Sequence, residues 1–258
     1  MAHGRLLKAF ACICLLAAHA GARLTVAAYG GAAAPVGGLA AEGPGYFNWF
    51  WTPPNAQGHG LVDIRGFTLT GSNMAAGPMA GLTLRAGLTP WLDVEWSGAR
   101  YFLAPRASWV RDGIRNAKTS LAAVTMGARA SRPWGPVAVS AAAGGGYYLE
   151  TLTLEATGRV ASGFVYDEVY TVDNTTNVGG FGVYAGGGAS YALAGRWALE
   201  LELRYHVVFN RGEYAILIHE EYGYEPYHHS DYVFDIPLHK EYADQFLDLR
   251  AGVAYAVF

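Results

Sequence analysis

The stretch WALELELRYHVVF, Trp197 to Phe209, exchanges an apolar residue for a small or ionic one at nearly every step. A period of two is the signature of a β-strand, because successive side chains leave the backbone on opposite faces. Trp197, Leu199, Leu201, Leu203, Tyr205, Val207 and Phe209 share one face, and Ala198, Glu200, Glu202, Arg204 and His206 share the other. Two such faces require two different surroundings. In a soluble sandwich the ionic face meets water. In a membrane barrel the pattern is turned inside out.

Composition favours the second arrangement. The chain has 258 residues, 14 % of them aromatic and only 15 % charged, with 34 glycines. That length suits one all-β domain, alone or with an extension. Beyond the N-terminus no apolar run approaches the ~20 residues of a membrane helix, so the hydrophobicity is spread over alternate positions, as barrel strands require. Residues 1–22 read as a secretory signal peptide: Arg5 and Lys8 lead, AFACICLLAA follows, and small residues at Ala18–Ala20 or Ala20–Ala22 offer a cleavage site. Both cysteines, Cys12 and Cys14, fall inside it, so a mature chain is expected to hold no disulfide or thiolate metal site. Removing Arg5 and Lys8 takes the net charge from −3 to −5, which together with the absence of a basic cluster argues against nucleic acid as a partner.

Residues 23–57 are rich in Ala, Gly and Pro and end in the aromatic cluster YFNWFWTPP, a composition that reads as a linker or loose arm. Residues 58–258 read as the barrel, with strands near 59–70, 79–88, 91–103, 119–131, 136–150, 179–193, 197–209 and 245–258. The connections alternate in length. LTPWL, SRPWGP and LAGRW are tight, whereas 71–78, 104–118, 151–178 and 210–244 are longer. Short turns at one end and long loops at the other are expected of an outer-membrane barrel. Each tight turn carries a tryptophan, Trp91, Trp134 or Trp197, placed for an interfacial girdle.

Side-chain volume and cation choice decide which face is inward. The polar-side positions are small or ionic, as a narrow lumen demands. In this register the lumen holds Asp63, Arg65, Arg85, Asp93, Glu95, Arg129, Glu200, Glu202, Arg204, Asp248 and Arg250. Mixed signs around a ring let buried carboxylates find guanidiniums. The cations are all arginines, whose planar forks suit crowded bidentate pairing, and lysine is confined in this region to Lys118 and Lys240.

GVYAGGGASYALAGRWALELELRY (Gly182–Tyr205) and the C-terminal LDLRAGVAYAVF resemble the small eight-stranded outer-membrane barrels of the OmpA-barrel and OmpX type. The resemblance implies an all-β, eight-stranded antiparallel up-and-down transmembrane barrel, monomeric in the bacterial outer membrane among lipid and lipopolysaccharide. It further implies that Phe258 serves as the signal read by the barrel-assembly machinery.

Catalytic sets are hard to find. An eight-stranded lipid A deacylase needs His-x-Ser-Asn on a late strand, but RYHVVFN puts valines after His206, leaving no attacking hydroxyl. His206 therefore reads as a member of the lumen network. Glu200 and Glu202, alternate residues on an arginine-lined wall, read as salt-bridge partners instead of a glycosidase pair. Gly144–Gly146 and Gly186–Gly188 lie mid-strand with no helix after them, so they suit close strand approach, not phosphate binding. The longest loop gathers Tyr222, Tyr224, Tyr227, His228, His229 and Tyr232 among acids, in no recognised metal spacing. Its tyrosines suit a binding surface for an unidentified ligand, and its apolar runs suit strands prolonged into a hairpin above the membrane. No cofactor is called for. The expected function is structural or surface interaction through external loops. The alternatives are a narrow porin-like channel and, with less support, a lipid-facing enzyme.

Overall fold

The computed structural model describes residues 23–41, 46–52, 61–69, 74–105, 114–161, 167–209, 214–224, 227–240 and 243–257. Its strands are β1 (Leu24–Val36), β2 (Tyr46–Thr52), β3 (Leu61–Leu69), β4 (Met74–Ala75), β5 (Gly77–Gly87), β6 (Leu92–Pro105), β7 (Ile114–Trp134), β8 (Val137–Ala161), β9 (Asp167–Ala192), β10 (Trp197–Phe209), β11 (Tyr214–Tyr224), β12 (Tyr227–Lys240) and β13 (Asp244–Ala256). Eight of them close a ring in the order β1, β5, β6, β7, β8, β9, β10, β13 and back to β1, each antiparallel to both neighbours.

The geometry of closure follows from the register. Starting at Thr25 and stepping across partners through Arg85, Glu95, Gly127, Gly144, Tyr184, His206 and Phe246, the path returns to β1 at Pro35, ten residues further on. An even stagger preserves parity, so inward residues stay inward all the way round. For eight strands it tilts each strand by about 40°, and the interior is then just wide enough for side chains to fill.

The outside of the ring is apolar. Leu82, Val124, Met126, Val183, Leu199, Leu201, Leu203, Leu249 and Val253 are all exposed, while Glu202, Arg204, Asp248 and Arg250 are buried. Only lipid solvates such an exterior without penalty, so the ring is a transmembrane barrel. Aromatic residues mark its two edges. Trp91, Trp134 and Trp197 stand exposed beside the tight turns, and Phe102, Tyr147, Phe181, Tyr205 and Phe209 stand exposed nearer the other end. Ten residues of β8 separate the Val137–Tyr191 pair from the Tyr147–Phe181 pair. At about 3.3 Å per residue and that tilt, the belts lie roughly 25 Å apart, the height of an outer-membrane apolar band. A cysteine at position 201 is therefore expected to react with a lipid-soluble maleimide, and one at 202 to stay unlabelled; the reverse pattern would turn the barrel inside out.

Two expectations about the chain need correction. The stretch read as a linker supplies β1, a full stave of the ring between β13 and β5. The stretch read as the first stave, 59–70, supplies β3, which pairs with β2 and β12 outside the ring. Asp63 and Arg65 therefore do not lie on a barrel stave. The reason is closure: β5 accepts one neighbour on its free edge, and the Ala/Gly-rich β1 fits there tightly. A Cβ added at Gly31 would collide with the Leu249 carbonyl oxygen, and one at Gly252 with that of Ala28. At those two positions the β1–β13 seam leaves no room for a side chain.

The loop between β7 and β8 is two residues, Gly135 and Pro136, with Gly135 at φ +63. Positive φ at the first turn position is what primed hairpin turns demand, and glycine supplies it without strain. At the opposite end β8 and β9 run on well past Tyr147 and Phe181, to Ala161 and Asp167. That prolongation replaces most of the long loop expected at 151–178. The upper part of β9 then pairs with β11, β11 with β12, β12 in parallel with β3, and β3 with β2. The sheet of the ring thus continues through these four strands beyond its membrane band. Residues 1–22, the expected signal peptide, lie outside the described residues.

Candidate functional site

Inward parity around the ring brings the ionic side chains into one column. At the turn end Arg23 Nη2 donates to Asp93 Oδ1 at 3.1 Å. Above it Arg85 holds Glu200 in a bidentate grip, 2.5 and 2.6 Å, with its Nε 3.8 Å from Glu95. Arg204 Nη2 reaches Glu95 at 2.8 Å and Glu202 at 3.0 Å, while the Tyr184 hydroxyl donates to Glu95 at 2.6 Å. Arg129 comes no nearer to Glu202 than 3.5 Å. Such paired charges are tolerable in the interior because each desolvated carboxylate keeps a guanidinium or hydroxyl partner.

The next tier converges on Asp248. Its carboxylate accepts from Arg250 Nε at 3.1 Å and from Arg250 Nη2, from the Tyr101 hydroxyl at 3.1 Å, and from His206 Nε2 at 3.0 Å. A carboxylate only accepts, so Nε2 of His206 carries the proton. In the neutral imidazole Nδ1 is then the acceptor, and the Tyr148 hydroxyl donates to it at 2.9 Å. Phe246 lies parallel to the imidazole with centroids 4.5 Å apart, and Arg250 sits 4.4 Å over the Tyr29 ring.

Glycines on β9 make room for this column. A Cβ at Gly186 would run into the Leu203 carbonyl oxygen and stand 2.8 Å from Arg204 Cγ; one at Gly188 would stand 2.5 Å from the Leu201 carbonyl oxygen. The bulky ionic residues of β10 thus face a bare strand, which is how an eight-stranded lumen accommodates them.

The structure gathers Arg85, Asp93, Glu95, Arg129, Glu200, Glu202, Arg204, Asp248 and Arg250 in the lumen, with His206 among them. Asp63 and Arg65 are not part of it. Arg23 supplies the fifth lumen-side guanidinium in place of Arg65. Sequence reasoning also passed over Tyr29, Tyr101, Tyr148 and Tyr184. Parity would have found Tyr101, which shares a strand face with Asp93 and Glu95, and Tyr148, which shares one with the buried Glu150. Trp91, Trp134 and Trp197 are exposed at the turn end, and Trp197 packs on Tyr255 with centroids 4.7 Å apart. Phe258 lies outside the described residues. Tyr222 and Tyr224 fall on β11, and Tyr227, His228, His229 and Tyr232 on β12, though their side chains lie outside the described part.

Among the described residues the lumen is packed with side chains, with a recess at the turn end. Glu95, Arg204, Tyr148, His206 and Asp248 are each at most 1 % exposed. Towards the loop end Met79, Leu103, Leu121 and Val208 are buried in the lumen, and Leu39 and Met74, from the connection between β1 and β5, are fully buried. Towards the turn end the column opens into a vestibule of about 300 Å3 walled by Arg23, Arg85, Arg129, Asp93, Arg196 and Glu200. Tyr148, His206 and Asp248 form a hydrogen-bonded chain, each at most 1 % exposed. Among the described residues no group of three or more metal-ligating side chains converges.

No protein-family profile matches the chain, and no curated protein matches it. Several solved structures share its outline. Neisserial surface protein A is 14 % identical, with 91 % of this chain and 96 % of that one covered at a TM-score of 0.42. A major outer membrane protein of Thermus thermophilus is 13 % identical, with 91 % and 98 % covered at a TM-score of 0.46. The outer membrane protease OmpT of Escherichia coli is 9 % identical, with 91 % and 96 % covered at a TM-score of 0.35. The closed ring and its apolar exterior stand without them.

Proposed function

We propose that this protein is a monomeric, non-enzymatic barrel of the bacterial outer membrane, delivered by a cleaved signal peptide, whose task is surface interaction through the sheet it holds outside the ring. The observation that carries the reading is the continuation of β9 into β11, β12, β3 and β2 beyond the membrane band. A barrel built only to fill space needs no such superstructure. The closed lumen supports the same reading against a channel, because conduction would require breaking several buried ion pairs at once. In this orientation the tight turns face the periplasm and the added sheet faces outward, among lipopolysaccharide. The sheet is rich in tyrosine, a residue that offers large contact area at small entropic cost. Its ligand is then a surface polysaccharide or a protein of another cell.

Deleting residues 214–240 tests the reading. The truncated protein is expected to remain a heat-modifiable barrel in outer-membrane fractions and to lose adhesion of whole cells to glycan and host-protein arrays. Its single-channel conductance in planar bilayers should match that of the full chain. Many-fold higher conductance would make the loop a plug and replace this reading with a channel.

A further inference from the structure

We propose that the vestibule at the turn end of the lumen is a binding site for a small oxyanion, inorganic phosphate or a free carboxylate. The cavity of about 300 Å3 is roughly ten times the volume share of one water, room for an oxyanion with part of its hydration shell. Four arginines line it, Arg23, Arg85, Arg129 and Arg196, with two acids, Asp93 and Glu200. Two of the four are committed: Arg23 to Asp93, and Arg85 to Glu200. Among the described residues the other two make no hydrogen bond to a carboxylate. Arg196 donates to the Val257 backbone carbonyl, a neutral partner. Arg129 is 3 % exposed, and its Nη1 makes no hydrogen bond. It is ion-paired with Glu202 at 3.5 Å without a hydrogen bond at Nη1, and Glu202 is shared with Arg204.

A buried guanidinium whose carboxylate partner is shared with another arginine and not hydrogen-bonded to it carries a desolvation cost that a bound anion would offset. The remaining wall suits that ligand. Thr25, Ser131 and Ser190 also line the cavity, and their hydroxyls are able to donate to oxyanion oxygens that the arginines leave free. Lipid headgroups are held apart from the site, because it opens inside the ring and not on the lipid-facing surface. The partner is therefore a soluble anion arriving from the turn side.

The experiment uses the full chain refolded in a zwitterionic detergent free of phospholipid. Inorganic phosphate and acetate are titrated separately at constant ionic strength with chloride as the balancing ion, read by 31P line broadening for phosphate and by calorimetry for both. Saturable binding of either is expected, and the stronger one identifies the ligand class. Arg129→Gln should weaken it by at least about tenfold, the loss of one charge-assisted hydrogen-bond pair. Arg196→Gln, on a turn and outside the buried network, should weaken it as well and guards against a folding defect in the first variant. Arg132→Gln, on the outer face, should change nothing. Absence of saturable binding overturns the proposal. So does equal binding by both vestibule variants and the parent.

Discussion

Asp248→Leu is expected to cost about 3–5 kcal/mol of barrel stability, the typical penalty for removing one partner of a buried ion pair. The size follows from convergence. Arg250, His206 and Tyr101 all direct hydrogen bonds at this single carboxylate, which is fully buried. Leucine fills similar space but leaves a guanidinium, an imidazole N–H and a phenol without acceptors. Asp248→Asn keeps one acceptor oxygen and loses the charge, so it should fall between leucine and the parent. Urea unfolding of protein in lipid vesicles, followed by gel mobility without boiling, measures both. A leucine variant as stable as the parent would mean that water reaches this tier and hydrates Arg250.

Leu201→Arg is expected to cost about 2–4 kcal/mol, the penalty for a cation on the lipid face near the bilayer midplane. Leu201 is 55 % exposed on the outer face, four residues from Trp197 at one edge and four from Tyr205 towards the other. Its inward neighbour Glu202 is buried against Arg204. The same substitution at Leu88, beside a tight turn, should be nearly free because the guanidinium reaches the headgroups. Equal penalties at both positions would show that the cost is one of packing, not of depth in hydrocarbon.

Much of the ring was legible because β10 and β13 state their two faces in plain alternation. Glu200, Glu202 and Arg204 against Leu199, Leu201 and Leu203 leave one solution for orientation once volume is considered. β1 was illegible for the opposite reason. In LTVAAYGGAAAPV both faces are small and nearly apolar, so no period emerges even though the strand pairs along its whole length. β3 misled because alternation identifies a strand and not the sheet that receives it. The pairs themselves were beyond reach: Arg85 meets Glu200 across 115 positions of sequence, and only the stagger of the closed ring determines that they share a level. Arg23 escaped notice because it stands in the segment that composition marked as a linker.

The seam between β1 and β13 gives the fold a direction in time. Thr25 pairs with Ala256 and Val257 donates to Leu24, so the contacts that seal the ring join the first described residues to the last. The other seven junctions are mostly hairpins between strands close in sequence, which form at small loop-closure cost. Sealing β1 against β13 is thus the most non-local pairing of the ring, the one that closes the longest loop of chain. Until that moment the charged column has no complete wall around it: Arg250 lacks Tyr29, and Arg85 is still separated from Glu200. The Arg85–Glu200 pair across the ring and the Arg250–Tyr29 contact across the seam therefore depend on closure, whereas Arg250–Asp248 and Arg204–Glu202 lie within single strands.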